Sequence, residues 1–191
     1  MKVLICLLLF LPLISLAQEK RKIADQHLCN LKNGALLIRL YTSESKMEAL
    51  KKLGRNNEAE EVIRKQELEN RLIYTTFKAV YDFSPIYFFY NTSSDKIRMQ
   101  EYRGNLLNEG LKPDSSINIS EEFIYIADID LTPGTGIYAL VIKNKDFQFL
   151  NKPFPYYIKR FDLIPIFKRT LFEMVHILNK KLNKDFNNIT N

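Results

Sequence analysis

The pattern that most constrains this chain is a strand, a long helical stretch and a second strand. Ala35-Leu-Leu-Ile-Arg-Leu-Tyr41 and Pro85-Ile-Tyr-Phe-Phe-Tyr-Asn91 are nearly continuous apolar runs bounded by turn residues, the pattern of strands covered on both faces. Strands joined by a helical crossover run parallel and right-handed, so the two predicted strands end on one edge of a sheet. Between them the sequence predicts a short helix over Ser45–Leu53, stopped by Gly54, and a long one to about Tyr81. Asn57 with Glu60 three positions later has the spacing of a capping box at the start of the long helix. Its apolar stripe, Ala59, Ile63, Ile73, Phe77 and Val80, is interrupted by Gln66 and Asn70. These two have the chemistry to line a polar pocket, but Lys65, Glu67, Glu69 and Arg71 around them favour a helix middle that overhangs the sheet and is wet. Arg39, the charged exception in the first strand, is expected to snorkel outward or to pair with a carboxylate.

Further along, Asp95 to about Arg103 is predicted helical, Glu122–Asp130 a third strand, and Thr132-Pro-Gly-Thr-Gly136 a turn. Ile137–Ile142 and Phe147–Leu150 follow as a hairpin. Pro153-Phe-Pro-Tyr-Tyr-Ile158 is too rich in proline for a central strand, so it is expected at an edge or in a connection. A last helix spans about Pro165 to Phe186, with Leu171, Val175, Leu178, Leu182 and Phe186 on its packing face. The expected fold class is therefore α/β: a mixed central sheet of about five strands flanked by helices.

This order of elements resembles the thioredoxin-like superfamily with one added strand, over about Leu31 to Phe186; another three-layer α/β sandwich is the alternative. The resemblance implies that the corner after the first strand, Thr42-Ser-Glu-Ser45, stands where that superfamily carries its redox cysteines. A hydroxyl has neither the acidity nor the exchange chemistry of a thiol, so a dithiol oxidoreductase is excluded. The superfamily also places a proline directly before the hairpin's first strand, whereas Pro133 lies four residues ahead of Ile137. Independently, Asn33-Gly-Ala-Leu-Leu-Ile-Arg-Leu40, Pro85-Ile-Tyr-Phe-Phe-Tyr90 and Pro153-Phe-Pro-Tyr-Tyr157 are similar to segments of uncharacterised small secreted bacterial proteins. That resemblance implies export and brings no activity with it.

The N-terminus gives the same expectation. Lys2 precedes an apolar block, Val3–Leu16, with Ser15 and Ala17 at minus three and minus one to a cut after Ala17, as in a secretory signal peptide. The block's 14 residues fall short of the ~20 that span a bilayer as a helix. Residues 1–17 are thus expected to leave, and 18–191 to form one α/β domain, periplasmic or secreted. Cys6 leaves with the signal and Cys29 stays as a single cysteine, most simply a packing residue. Gln18 follows the cut, so the site is not that of a lipoprotein.

Net charge is +6, and residues 159–191 carry seven basic against three acidic side chains. Lys168, Arg169, Lys180, Lys181 and Lys184 offer a weak contact to an anionic surface; export makes nucleic acid an unexpected partner. For chemistry, ligand sites of α/β sheets form outside the carboxyl ends of the strands. The candidate ligand-binding residues are therefore Thr42, Ser43, Glu44, Ser93, Asp95 and Asp128. Asp128 joins the others only if the third strand runs parallel to the first. There is no glycine-rich phosphate loop or paired histidine–carboxylate motif, and His27 and His176 stand in no recognisable catalytic context. No metal or other cofactor is expected. Two readings follow: a non-catalytic exported domain that binds a partner or envelope component, or a small hydrolase or metal-assisted enzyme using strand-end carboxylates. In the simpler view Thr42 or Ser43 caps the helix that follows.

Overall fold

A computed structural model describes residues 2–132, 136–162 and 165–190, with side chains from Gln18 onward. Five strands form one mixed sheet flanked by helices. In chain order the elements are α1 (Lys2–Asn33), β1 (Ala35–Leu40), α2 (Glu44–Lys52), α3 (Asn56–Val80), β2 (Ile86–Tyr90), α4 (Ser94–Arg98), β3 (Ile124–Leu131), β4 (Tyr138–Asn144), β5 (Tyr157–Lys159) and α5 (Leu171–Thr190). The sheet order is β2-β1-β3-β4-β5. β1 is parallel to both β2 and β3, whereas β3–β4 and β4–β5 are antiparallel. The direction of β3 settles the question that the sequence left open: the ends of β1, β2 and β3 share one edge.

Alternation along the strands divides the core into two layers. On one face Leu36, Ile38 and Leu40 meet Phe88, Tyr125, Ala127, Leu140 and Ile142, under Ile73 and Phe77 of α3 and Met174, Val175, Leu178 and Leu182 of α5. On the other, Ala35, Leu37, Phe89, Ile124 and Ile126 pack on Ile97 of α4 and on Leu106 and Ile119 of the long connection after it.

Several expectations are corrected. The polar stretch 18–33, expected only to lead into the first strand, is helical, because Ala24, Leu28 and Leu31 recur at spacings of four and three and all three are buried in the first layer. His27 donates or accepts across 2.9 Å to the Tyr125 hydroxyl; burial lowers its pKa and pushes the Tyr125 phenol up to about 12. α1 ends at Gly34, where a Cβ would lie 2.0 Å from the Phe123 carbonyl oxygen and 2.7 Å from that of Asn30, so no larger residue fits between helix and sheet.

The helix expected to reach Arg103 stops at Arg98, and Gln100 follows with a positive φ of 64°. Phe147–Leu150 is not a strand and makes one isolated bridge, Lys143 with Phe149. The outer edge of β4 belongs instead to β5, which begins two residues after Pro155, once every residue again carries an N–H to donate. α3 starts two residues early, with Arg55 instead of Asn57 at its cap and no side-chain capping bond. The reciprocal Thr–Glu capping box is at α5: Thr170 N–H donates to Glu173 Oε2 at 2.7 Å, and Glu173 N–H to Thr170 Oγ1 at 3.2 Å. Pro133, Gly134 and Thr135 of the expected turn lie outside the described residues. Among the described residues no helix is long and apolar enough to cross a membrane.

Because α1 belongs to the core, Leu28→Ala and Leu31→Ala are each expected to cost about 2–5 kcal/mol. Ile23→Ala, at a position 52% exposed, changes stability by less than about 0.5 kcal/mol. Urea unfolding followed by circular dichroism measures all three.

Candidate functional site

The chain leaves β1 at Leu40 and crosses the strand-end edge as Tyr41-Thr-Ser43. Its backbone polar groups need partners there, and side chains from two other elements supply them. Asn70 of α3, 4% exposed, donates from Nδ2 to the Tyr41 carbonyl at 2.7 Å and accepts from the Tyr41 N–H at 3.4 Å. Asn91, beyond β2, accepts from the Thr42 N–H at 3.0 Å and from Thr42 Oγ1 at 3.4 Å. Ser43 has a left-handed backbone (φ 54°) and stands at the N-cap of α2 without capping it. Its Oγ instead donates to Gln66 Oε1 at 2.6 Å, and Gln66 Nε2 donates to Asn70 Oδ1 at 3.3 Å. The capping expectation for Thr42 and Ser43 is thus replaced by a tether to α3 and to the end of β2. The expected wet overhang at Gln66 and Asn70 is overturned as well, since both interrupt the apolar stripe in order to hold this corner.

Beside the corner lies a buried ion cluster. Arg39 on β1, Asp128 on β3 and Lys143 on β4 point to the same sheet face, because Ile38 registers with Ala127 and Lys143 with Ile126. Asp128 has no exposed side-chain surface. It accepts from Tyr41 Oη at 2.9 Å and from an Arg39 guanidinium N–H at 3.2 Å, with Lys143 Nζ 3.5 Å away. Lys143 also donates to Asp130 Oδ2 at 2.5 Å. Desolvation raises the Asp128 pKa against the pull of Lys143, Tyr41 and Arg39. For the more open Asp130, burial acts upward, but the Lys143 hydrogen bond and the Leu131 N–H outweigh it and hold the carboxyl below its usual range. Burial and the Asp128 charge push the Tyr41 phenol well above the ordinary tyrosine range, so Tyr41 stays a donor. Arg39 lies 5.3 Å from the Tyr41 ring centroid and 5.5 Å from that of Phe147, where Arg98 also stacks at 5.2 Å. Its buried Nε has no hydrogen-bond partner in the structure.

A cleft of about 490 Å³ opens next to this cluster between α3, the β3–β4 end and the segment after β5, lined by Arg39, Tyr41, Gln66, Glu69, Ile129, Tyr138, Arg160 and Asp162, among others. A second hollow of about 430 Å³ shares Glu69, Ile73, Ile129 and Arg160 with it and continues to Lys168–Leu171. Together they form one groove with mixed charge. Arg160 pairs with Asp162 at 3.1 Å, and both residues line the groove.

The candidate residues separate clearly. Thr42 and Ser43 sit in the corner, and Asp128 is joined to it through Tyr41. Glu44 opens α2 and is exposed; Asp95 is exposed and pairs with Arg98 at 2.9 Å; Ser93 ends the 3-10 turn Asn91–Ser93. Arg39 pairs with a carboxylate, one of the two expected outcomes. Sequence reasoning missed Tyr41, Asn70, Lys143, Tyr138 and Arg160. The available signal was the pair Gln66 and Asn70, amides at core positions of a helix stripe. Among the described residues no three His, Cys, Asp or Glu side chains are gathered as a group that could hold a metal ion. No protein-family model, no curated protein and no solved structure matches the chain.

Removing one member of a buried ion set strands its partners, while removing the set together does not. Asp128→Ala is therefore expected to cost about 3–5 kcal/mol, and the combined replacement Arg39→Met, Asp128→Leu, Lys143→Met to recover most of that loss. Chemical denaturation of both variants tests this.

Proposed function

We propose that the chain is an exported, non-catalytic α/β domain that binds a partner or envelope component at the groove beside Tyr41. The observation that carries this reading is how the corner's polar groups are used. Ser43, Gln66 and Asn70 bond to one another or to backbone, Thr42 bonds to the Asn91 side chain, and Asp128 accepts from Tyr41 and Arg39. A nucleophile or general base needs a proton partner positioned towards substrate, and the hydrogen bonds of these groups are spent on other parts of the fold. What lines the groove is recognition chemistry: two guanidinium groups, the tyrosines 41 and 138, aliphatic side chains at Ile73 and Ile129, and the carboxylates of Glu69 and Asp162.

In a thioredoxin-like reading of the sheet, the Thr42–Ser45 corner takes the place of the redox cysteines and supplies no sulfur. The alternative, a small hydrolase or metal-assisted enzyme, would need Glu44, Asp95 and Asp128 to work together. Glu44 and Asp95 are exposed while Asp128 is sealed from solvent.

In cells, the protein recovered from the envelope or medium is expected to begin at Gln18 by N-terminal sequencing. A photo-crosslinking side chain at Tyr138, in the groove, should trap a discrete adduct, and the same group at Glu48 on exposed α2 should not. Turnover on a broad substrate panel that is lost in Ser43→Ala or Asp128→Asn contradicts the non-catalytic reading.

A further inference from the structure

The segment leading into α5 exposes apolar side chains that the core does not use. Ile166 is 91% exposed, Phe167 64% and Phe172 58%. Ile166 and Phe167 lie on the 3-10 turn Pro165–Phe167, where both side chains are largely open to solvent. Phe172 opens the outer face of α5. Along that face Phe172, His176, Lys180 and Lys184 follow at four-residue spacing and are all exposed, over about 18 Å at 1.5 Å per residue. The opposite face carries the buried Met174, Val175, Leu178 and Leu182. The His176 ring stacks on that of Phe172, with planes 2° apart and centroids 6.4 Å apart.

The charges around this apolar group are unequal. Lys168 follows Phe167 directly and is half-exposed, and its 3.7 Å contact with Asp162 is a solvent-exposed pair of small worth. Arg169 is fixed by a hydrogen bond to the Lys159 carbonyl and by the Phe161 ring. Of the three carboxylates in this segment, Asp162 and Glu173 are engaged by Arg160 and by the Thr170 cap, and the half-buried Asp185 lines a hollow against α1 together with Arg21. What remains free to face outward is cationic: Lys168, Lys180, Lys181 and Lys184.

We infer that this surface docks on an anionic lipid bilayer, with Ile166, Phe167 and Phe172 entering the headgroup–acyl boundary and the lysines meeting anionic headgroups. The inference rests on the proposed export and names the bilayer itself as an envelope component. Protruding apolar residues beside cations on an amphipathic helix fit an interface that is oily below and negative above. A single-sign surface without the apolar turn would be held by charge alone and released by salt.

The test is co-sedimentation of the processed chain from Gln18, which keeps every buried core residue described, with vesicles of phosphatidylglycerol and phosphatidylcholine in equal parts or of phosphatidylcholine alone. Binding is expected to the anionic vesicles and to be much weaker on the neutral ones. The exposed double variant Ile166→Ser, Phe167→Ser should lower partition by roughly tenfold or more, with unchanged thermal unfolding, from the loss of two buried apolar side chains. Lys180→Gln and Lys184→Gln should each lower it roughly fivefold, the worth of one cation at an anionic leaflet. No sedimentation with anionic vesicles, equal binding to neutral ones, or binding indifferent to Ile166 and Phe167 overturns the inference. None of these results bears on the groove, which is tested by crosslinking at Tyr138.

Discussion

Asp128 is a carboxylate without solvent, and an ion in that position persists only where the fold brings charge and hydrogen-bond donors to it. Arg39 comes from β1, Tyr41 from the corner after β1, and Lys143 from β4. One buried group therefore joins a central strand, its outgoing loop and the antiparallel half of the sheet. The parallel direction of β3 is what makes this possible, since it carries Asp128 to the edge where β1 ends. Asn70 adds a fourth element by fixing the Tyr41 backbone to α3.

A corner held this way is stiff, which decides what it can do. Its hydroxyl and amide groups complete the backbone's hydrogen bonds and so fix the shape of the surface there. The groove beside it inherits that rigidity: Arg39 and Tyr41 are held from behind and line it in fixed positions. Preorganised groups bind with less ordering cost, which is the physical ground for proposing recognition at this groove. The apolar turn at Ile166 and Phe167 adjoins the far end of the groove, where Lys168 and Arg169 line both its second hollow and a further hollow beside the turn.

The sheet was legible because its signals are local. Apolar runs at Ala35–Tyr41 and Pro85–Asn91, the crossover between them and the prolines before β5 each report their own surroundings. The helical nature of 18–33 was hidden because only three apolar residues, Ala24, Leu28 and Leu31, mark its buried face among charged neighbours. The site was less legible still. Gln66 and Asn70 announce an unusual helix face, but their partners, Tyr41 and Ser43, are more than twenty residues away in the chain. Lys143 reads as a strand-end surface residue until the β3–β4 register sets it diagonally across from Asp128. Glu44 and Asp95 have the residue types of a site and the right edge, and the fold turns both to solvent.

The central claim is that Asn70, Asn91 and the Asp128 cluster pin the strand-end corner as firmly as the core. Amide hydrogen exchange of Tyr41 and Thr42 measures this directly. Both amides are expected to exchange with protection close to that of β1 amides such as Ile38. Exchange at Tyr41 and Thr42 as fast as at exposed Gly104 would contradict it, and the corner would then be a mobile loop instead of a fixed wall of the groove.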